Sequence, residues 1–276
     1  MKHRSTVLLV SAAVVGVTAA AAPAAPAPAD PAGPRSGRAA AVYRQVVSAP
    51  VTVQNNHGNS AEAACPDGMF AAGGGMTTDG TADRVFTTSS FSTGRGWYID
   101  FRNVSGAPRT VRAAAVCSTA QQHNHSGVRE PIAPGRAATI YVRCPAGSTP
   151  SGGGYSAVSF HAWESAPQPD ASWGISGVNT RYVDGSAVPT VTCSAEPHRL
   201  VLGDPVTLLP GETKDAVVAC PAGETPTGGG GWAGRALLHN VFLTRNFPRG
   251  DSWVVSGTNT GSDENTLTPK AICTPK

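Results

Sequence analysis

The sequence predicts an all-β protein built from three tandem copies of one disulfide-closed unit of about 76 residues, a length that allows packing with pseudo-threefold symmetry. Three observations carry that expectation. A set of landmark residues recurs three times in register, apolar and polar residues alternate with period two before and after those landmarks, and 32 glycines and 23 prolines punctuate the chain with no sustained helical period.

Each copy opens on Cys-Pro-x-Gly, at Cys65-Pro66-Asp67-Gly68, Cys144-Pro145-Ala146-Gly147 and Cys220-Pro221-Ala222-Gly223. A glycine triplet follows at the same offset each time: Gly73-Gly74-Gly75, Gly152-Gly153-Gly154 and Gly228-Gly229-Gly230. Then come Trp97 and Asn103, Trp173 and Asn179, Trp253 and Asn259, each pair six residues apart, and a closing Cys117, Cys193 or Cys273 fourteen residues after the asparagine. Six cysteines can pair in many ways, but the repeat favours pairing within each copy: Cys65 with Cys117, Cys144 with Cys193, Cys220 with Cys273. Each bond would close a loop of about fifty residues, worth about 4 kcal/mol in the chain-entropy view.

The strands follow from the alternation. Ile140, Val142 and Cys144 alternate with Tyr141 and Arg143, and Ala216, Val218 and Cys220 repeat the pattern. Trp97, Ile99 and Phe101 share one face, matched by Trp173 with Ile175 and by Trp253 with Val255, so the three tryptophans are expected as equivalent core residues. The asparagines end these strands on turn-forming residues such as Ser105-Gly106. The glycine triplet has neither the following helix nor the lysine of a phosphate loop, so it reads as a kinked or bulged strand where backbones approach closely.

The ends of the chain are of another kind. Lys2, His3 and Arg4 precede an apolar run of eleven residues, Val7 to Val17, and a stretch of small residues through Ala22. That is the pattern of a signal peptide over 1–22, and the run is too short to cross a bilayer, which needs about 20 residues. Residues 23–40 form a Pro/Ala-rich spacer, and the repeats are bounded at 41–119, 120–195 and 196–276. Loss of Lys2 and Arg4 lowers the formal charge of +3 to +1, which leaves no basic stripe for nucleic acid. Secretion without membrane insertion, in the oxidising setting that six cysteines suit, is the expectation. Seventeen arginines against four lysines, amid abundant Ala, Gly and Pro, point to a GC-rich actinobacterial source.

The order Cys-Pro-x-Gly, Gly-Gly-Gly, Trp, Asn, Cys, from about Ser60 to Thr274, resembles a repeat module of secreted actinobacterial proteins. The resemblance implies a small extracellular β unit and supplies no activity and no catalytic residues.

Nothing in the chain reads as a catalytic or cofactor site. The elbow Gly-x-Ser-x-Gly is absent, and Gly250-Asp251-Ser252 is followed by Trp253 where a serine protease has glycine. Arg249-Gly250-Asp251-Ser252 matches an integrin-recognition string by chance. His123 and His125 lack a third ligand and read as a solvated loop, so no metal is expected, while His161 and His239 fall on roughly corresponding strands. Trp163 and Trp232 are not landmarks, and each is either a core residue or a platform for sugars or protein partners. The expected function is therefore non-catalytic binding or scaffolding of a protein or surface glycan, including an adaptor role in an exported toxin-type assembly, with variation confined to the loops between landmarks. Residues 41–54 (AVYRQVVSAPVTVQ) read either as the first strand of repeat 1 or as a strand offered to a partner's sheet edge. The competing class is a secreted hydrolase, or a protease inhibitor acting through the proline-rich loop Ser165 to Asp170.

Overall fold

The computed structural model describes residues 40–80, 84–234 and 240–276, so the signal-peptide segment, nearly all of the spacer, and His239 lie outside the described residues. Repeat 1 holds β1 (Tyr43–Val47), β2 (Val51–Val53), β3 (Gly58–Ala64), β4 (Phe70–Thr78), β5 (Val85–Ser92), β6 (Gly96–Asn103) and β7 (Arg109–Ser118). Repeat 2 holds β8 (His123–Ser126), β9 (Glu130–Ile132), β10 (Ala137–Arg143), β11 (Thr149–Val158), β12 (His161–Pro167), β13 (Ser172–Val178) and β14 (Gly185–Ser194). Repeat 3 holds β15 (Arg199–Leu202), β16 (Val206–Leu208), β17 (Thr213–Ala219), β18 (Glu224–Ala233), β19 (Val241–Arg249), β20 (Ser252–Asn259) and β21 (Asn265–Pro275). The described residues contain no helix; the fold is all-β, with every pairing antiparallel.

Each repeat is a small sandwich of two sheets. In repeat 1, β7 runs between β4 on one side and β1 with β2 on the other, while β6 runs between β3 and β5. Repeats 2 and 3 copy this with β14 and β13, and with β21 and β20. The disulfides Cys65–Cys117, Cys144–Cys193 and Cys220–Cys273 join the two sheets, with Cα atoms 5.6, 5.7 and 5.7 Å apart. Trp97, Trp173 and Trp253 are fully buried, one at the heart of each sandwich.

The landmarks have separable jobs. In the Cys-Pro-x-Gly turn the glycine takes a left-handed φ of 78, 83 or 82°, which a side chain would resist. A bulge falls just before each glycine triplet, at Ala71/Gly73, Pro150/Gly152 and Pro226/Gly228, as the close-approach reading requires. The middle glycine makes room for the tryptophan: a methyl group on Gly74, Gly153 or Gly229 would fall on the indole of Trp97, Trp173 or Trp253. The buried asparagine ties strand two to the turn before strand seven. Asn103 donates to Val53 O and Ala107 O at 3.1 and 2.7 Å, and its Oδ1 accepts from Ser105 N at 2.9 Å. Asn179 and Asn259 make the same three bonds.

The outer glycines of the triplet build a ring. A Cβ on Gly73 would lie 2.8 Å from Gly228 Cα, one on Gly152 2.8 Å from Gly73 Cα, and one on Gly228 2.6 Å from Gly152 Cα. These contacts run head to tail around a pseudo-threefold axis, repeat 1 on 3, 2 on 1 and 3 on 2. The third glycine of each triplet passes beneath a neighbour's carbonyl: Asn246 O over Gly75, Ser90 O over Gly154 and Ser165 O over Gly230. Those same three residues accept the indole N–H of their own repeat's tryptophan, Ser90 at 2.9 Å, Ser165 at 3.2 Å, and Asn246 through Oδ1. One residue per repeat thus couples the core to the seam. Phe86, His161 and Phe242 occupy one matched position, and their rings converge with centroids 5.3, 5.4 and 5.9 Å apart. The counterpart of His161 in repeat 3 is therefore Phe242 and not His239.

The seams differ in how they close. β5 pairs with β11 across repeats 1 and 2, and β12 with β18 across repeats 2 and 3, which produces two seven-stranded sheets. β4 and β19 come together without a ladder. This closing seam uses side chains: Gln45 Nε2 donates to Gly250 O at 2.6 Å, and Gly250 N donates back to Gln45 Oε1 at 3.2 Å. Segment 41–54 is thus engaged within the chain, with β1 and β2 laid on β7 and Gln45 clasping repeat 3. Among the described residues β1 and β2 each pair with β7 alone, so the outer edge of both strands is unpaired. His123 to Ser126, expected as a loop, is instead the edge strand β8; it has no apolar face and is held by its ladder to β14 and by Asn124, whose Nδ2 donates to Ser92 O at 3.0 Å.

Candidate functional site

The three repeats provide their own internal comparison, because strand five carries a bulge at the same place in each. The bulged residues are Thr88, Trp163 and Thr244. The next residues, Ser89, Glu164 and Arg245, face Asp100, Ser176 and Ser256 on strand six, and these in turn face Ser60, Thr139 and Asp215 on strand three. Across the ladder from Ser89 is Ser156, and across from Glu164 is Trp232; the position matching them in repeat 1 is Thr77. Two residues along strand three stand Glu62, Tyr141 and Val217.

The departures from the common pattern converge at one place. At the seam of repeats 2 and 3, Trp163, Trp232, Tyr141 and Glu164 replace residues that are threonine, serine, valine or charged elsewhere. They line an open groove of about 320 Å³ together with Thr139 and Ser176. The matching depression of repeat 1, about 360 Å³, is lined by Gly58, Asn59, Ser60, Thr88, Asp100 and the buried Phe101, and has no Tyr or Trp. The repeat frame folds without these aromatic residues, so its construction does not explain them.

The groove has aromatic walls and a polar floor. Tyr141 is 55 % exposed, and its ring packs over Gly174, where an added Cβ would meet Cε1 at 2.9 Å. Trp163 is 7 % exposed and belongs to the core cluster of repeat 3 while one part of it reaches the groove. The bulge explains this, since a bulged residue leaves the alternation of its strand. Trp232 is half-buried. In the floor, Thr139 Oγ1 donates to Ser176 Oγ at 3.0 Å, Ser176 donates to Glu164 Oε2 at 2.7 Å, and Gln168 Nε2 donates to Glu164 Oε1 at 2.9 Å. Lys270 Nζ stands 3.9 Å from Glu164 Oε1, both side chains largely buried. Burial pushes the Lys270 ammonium below its ordinary pKa and Glu164 partly restores it. Desolvation, then Glu164 and Asp170, hold the Tyr141 phenol above its ordinary value. The floor is close to neutral, pre-ordered and rich in acceptors.

The other sequence candidates fall elsewhere. The proline-rich loop is the β12–β13 hairpin, and Pro167, Gln168 and Pro169 line a cavity of about 140 Å³ beside His198. Both ring nitrogens of His198 are buried without a hydrogen-bond partner among the described residues, and burial lowers its pKa to about 4. His123 and His125 lie on an edge strand, and no group of three or more His, Cys, Asp or Glu among the described residues is placed to hold a metal ion. Sequence reasoning named Trp163 and Trp232 but missed Tyr141, Glu164 and Lys270. It also located variation in the loops, whereas these departures sit on strand faces at a seam.

No protein-family model and no curated protein matches this chain.

Proposed function

We propose that the chain is an exported, non-catalytic binding protein that presents a ligand groove between its second and third repeats. One observation carries the reading: four matched positions depart from the repeat pattern, and all four line one groove. The residues common to all three repeats have structural employment, in turns, bulges, sheet-joining disulfides and buried asparagine ties, and none is a nucleophile held beside a base. Three disulfides fit an oxidising compartment, and the signal-peptide pattern and the resemblance to secreted actinobacterial modules support export. The test uses the full disulfide-bonded chain from culture supernatant. It should turn over no ester, glycoside, peptide or cell-wall substrate, and should associate with cell-wall material in a manner that Trp232→Ser abolishes. Turnover removed by one Asp, Glu, His or Ser substitution, with folding intact, would sink the reading.

A further inference from the structure

We propose that the groove at the seam of repeats 2 and 3 is a subsite for an uncharged sugar ring of a polysaccharide; this rests on the binding reading above and names its ligand class. Trp232 and Tyr141 would take the C–H faces of the ring, and the Glu164 carboxylate would accept its hydroxyl protons.

The chemistry of the floor selects among ligands that aromatic walls attract. A carboxylate has about four acceptor positions; Gln168 and Ser176 occupy two of those of Glu164, and Thr139 Oγ1 spends its proton on Ser176. What the floor still offers is acceptors, so it suits a ligand that donates. Sugar hydroxyls donate. A proline-rich peptide, the other habitual occupant of aromatic grooves, brings carbonyl acceptors and few N–H groups; the Tyr141 O–H and the Trp232 indole N–H on the walls could serve its carbonyls, but the Glu164 acceptors of the floor would be left without donors. A quaternary or alkyl ammonium would suit an aromatic cage with an unpaired carboxylate. Here Lys270 already stands 3.9 Å from Glu164, so the floor carries no net charge to attract a cation and a buried ammonium to repel it.

Size and shape agree. A groove of about 320 Å³ is at the small end of ligand sites. It is open, so a chain could run through it with one unit seated. The walls are placed before any ligand arrives: Tyr141 stands over Gly174, and the β12–β18 ladder sets the Trp232 backbone opposite Glu164 while its indole lies beside Gly234. Pre-set aromatic faces spare the ordering cost that weakens flexible sites.

The test uses affinity electrophoresis of the full chain through gels holding soluble neutral polysaccharides (hydroxyethylcellulose, xylan, galactomannan, β-1,3-glucan), with polygalacturonate and chitosan as charged controls. Tryptophan emission is followed in parallel. Each variant takes the residue its sister repeats carry: Trp232→Ser as at Ser156, and Tyr141→Val as at Val217. At least one neutral polysaccharide should retard the protein, and each variant should weaken that binding about tenfold or more, with the thermal midpoint nearly unchanged. Glu164→Gln should weaken it while leaving the emission of the unbound protein as it was. The subsite is overturned if no neutral polysaccharide binds, if the variants bind as well as the parent, or if only the charged polymers bind and salt abolishes it. A protein partner lost in Trp232→Ser alongside indifference to every glycan would overturn the sugar and keep the binding reading. Release of reducing ends from a bound polysaccharide would overturn the non-catalytic reading and keep the subsite.

Discussion

The two laddered seams of the ring are built alike and furnished differently. Between repeats 1 and 2, Tyr155 and Ser156 pair with Ser90 and Ser89; between repeats 2 and 3, Gly231 and Trp232 pair with Ser165 and Glu164. Both seams have the same glycine approach and the same carbonyl over the third glycine. One presents small hydroxyl side chains and the other an aromatic groove over a buried carboxylate. The difference separates what closes the ring from what the ring displays. Backbone proximity and one buried indole per sandwich do the closing, which leaves the outward row of each seam free to change.

The comparison breaks most visibly at the frame. Trp253→Ala should cost about 3–5 kcal/mol in denaturant unfolding, because the indole is fully buried against Gly229. Equal loss at Trp232 would mean that the two tryptophans share one role. Next, Gly152→Ala and Gly228→Ala should each cost about 3 kcal/mol by overpacking, because the new methyl meets backbone rather than a movable side chain. Clearly unequal costs would show that the two seams are not mechanically equivalent.

The third comparison is electrostatic. Gln122 at one seam is satisfied, accepting from Ser151 Oγ at 2.7 Å and donating to Ala120 O at 3.2 Å; the matched residue at the other seam is His198, with no partner among the described residues. The folded-state pKa of His198 lies at about 4 against 6.5 when unfolded. Its neutral form is therefore favoured by folding. Stability should be level above the unfolded value and fall as pH drops from 6.5 toward 4, by about 2 kcal/mol at pH 5. His198→Gln should flatten that part of the profile, and an unchanged slope in urea titrations would assign it to other groups. The smallest effect belongs to the groove: Trp232→Ser should shift stability by less than about 1 kcal/mol, as partly exposed positions do.

The frame was legible because three copies of each landmark could be laid side by side. Trp97, Asn103 and the glycine triplets recur with their spacing, and period-two alternation placed the tryptophans inward. The groove was legible only in part, for identifiable reasons. Tyr141, Glu164, Trp232 and Lys270 come from β10, β12, β18 and β21, and only the cross-repeat ladder brings them together. Tyr141 read as the polar side of an alternating strand, and the bulge at Trp163 breaks the count that would have assigned it a face. A signal was present nonetheless: after the glycine run the three copies read Thr77, Ser156 and Trp232, and the odd member marks the seam. The strand β8 went unrecognised because His123-Asn124-His125 lacks the apolar face by which strands are read.

The glycine contacts at the axis run from each repeat to the next and are never exchanged mutually between two. Such a handshake has no two-member solution: a pair of units always leaves one donor surface and one acceptor surface bare. A single repeat released from its neighbours would carry both surfaces, and its own geometry would close them at three chains. The covalent links between repeats thus fix the order of furnishing around the ring, which separate identical chains could not do, and an odd seam among three can exist only because the three are one polypeptide.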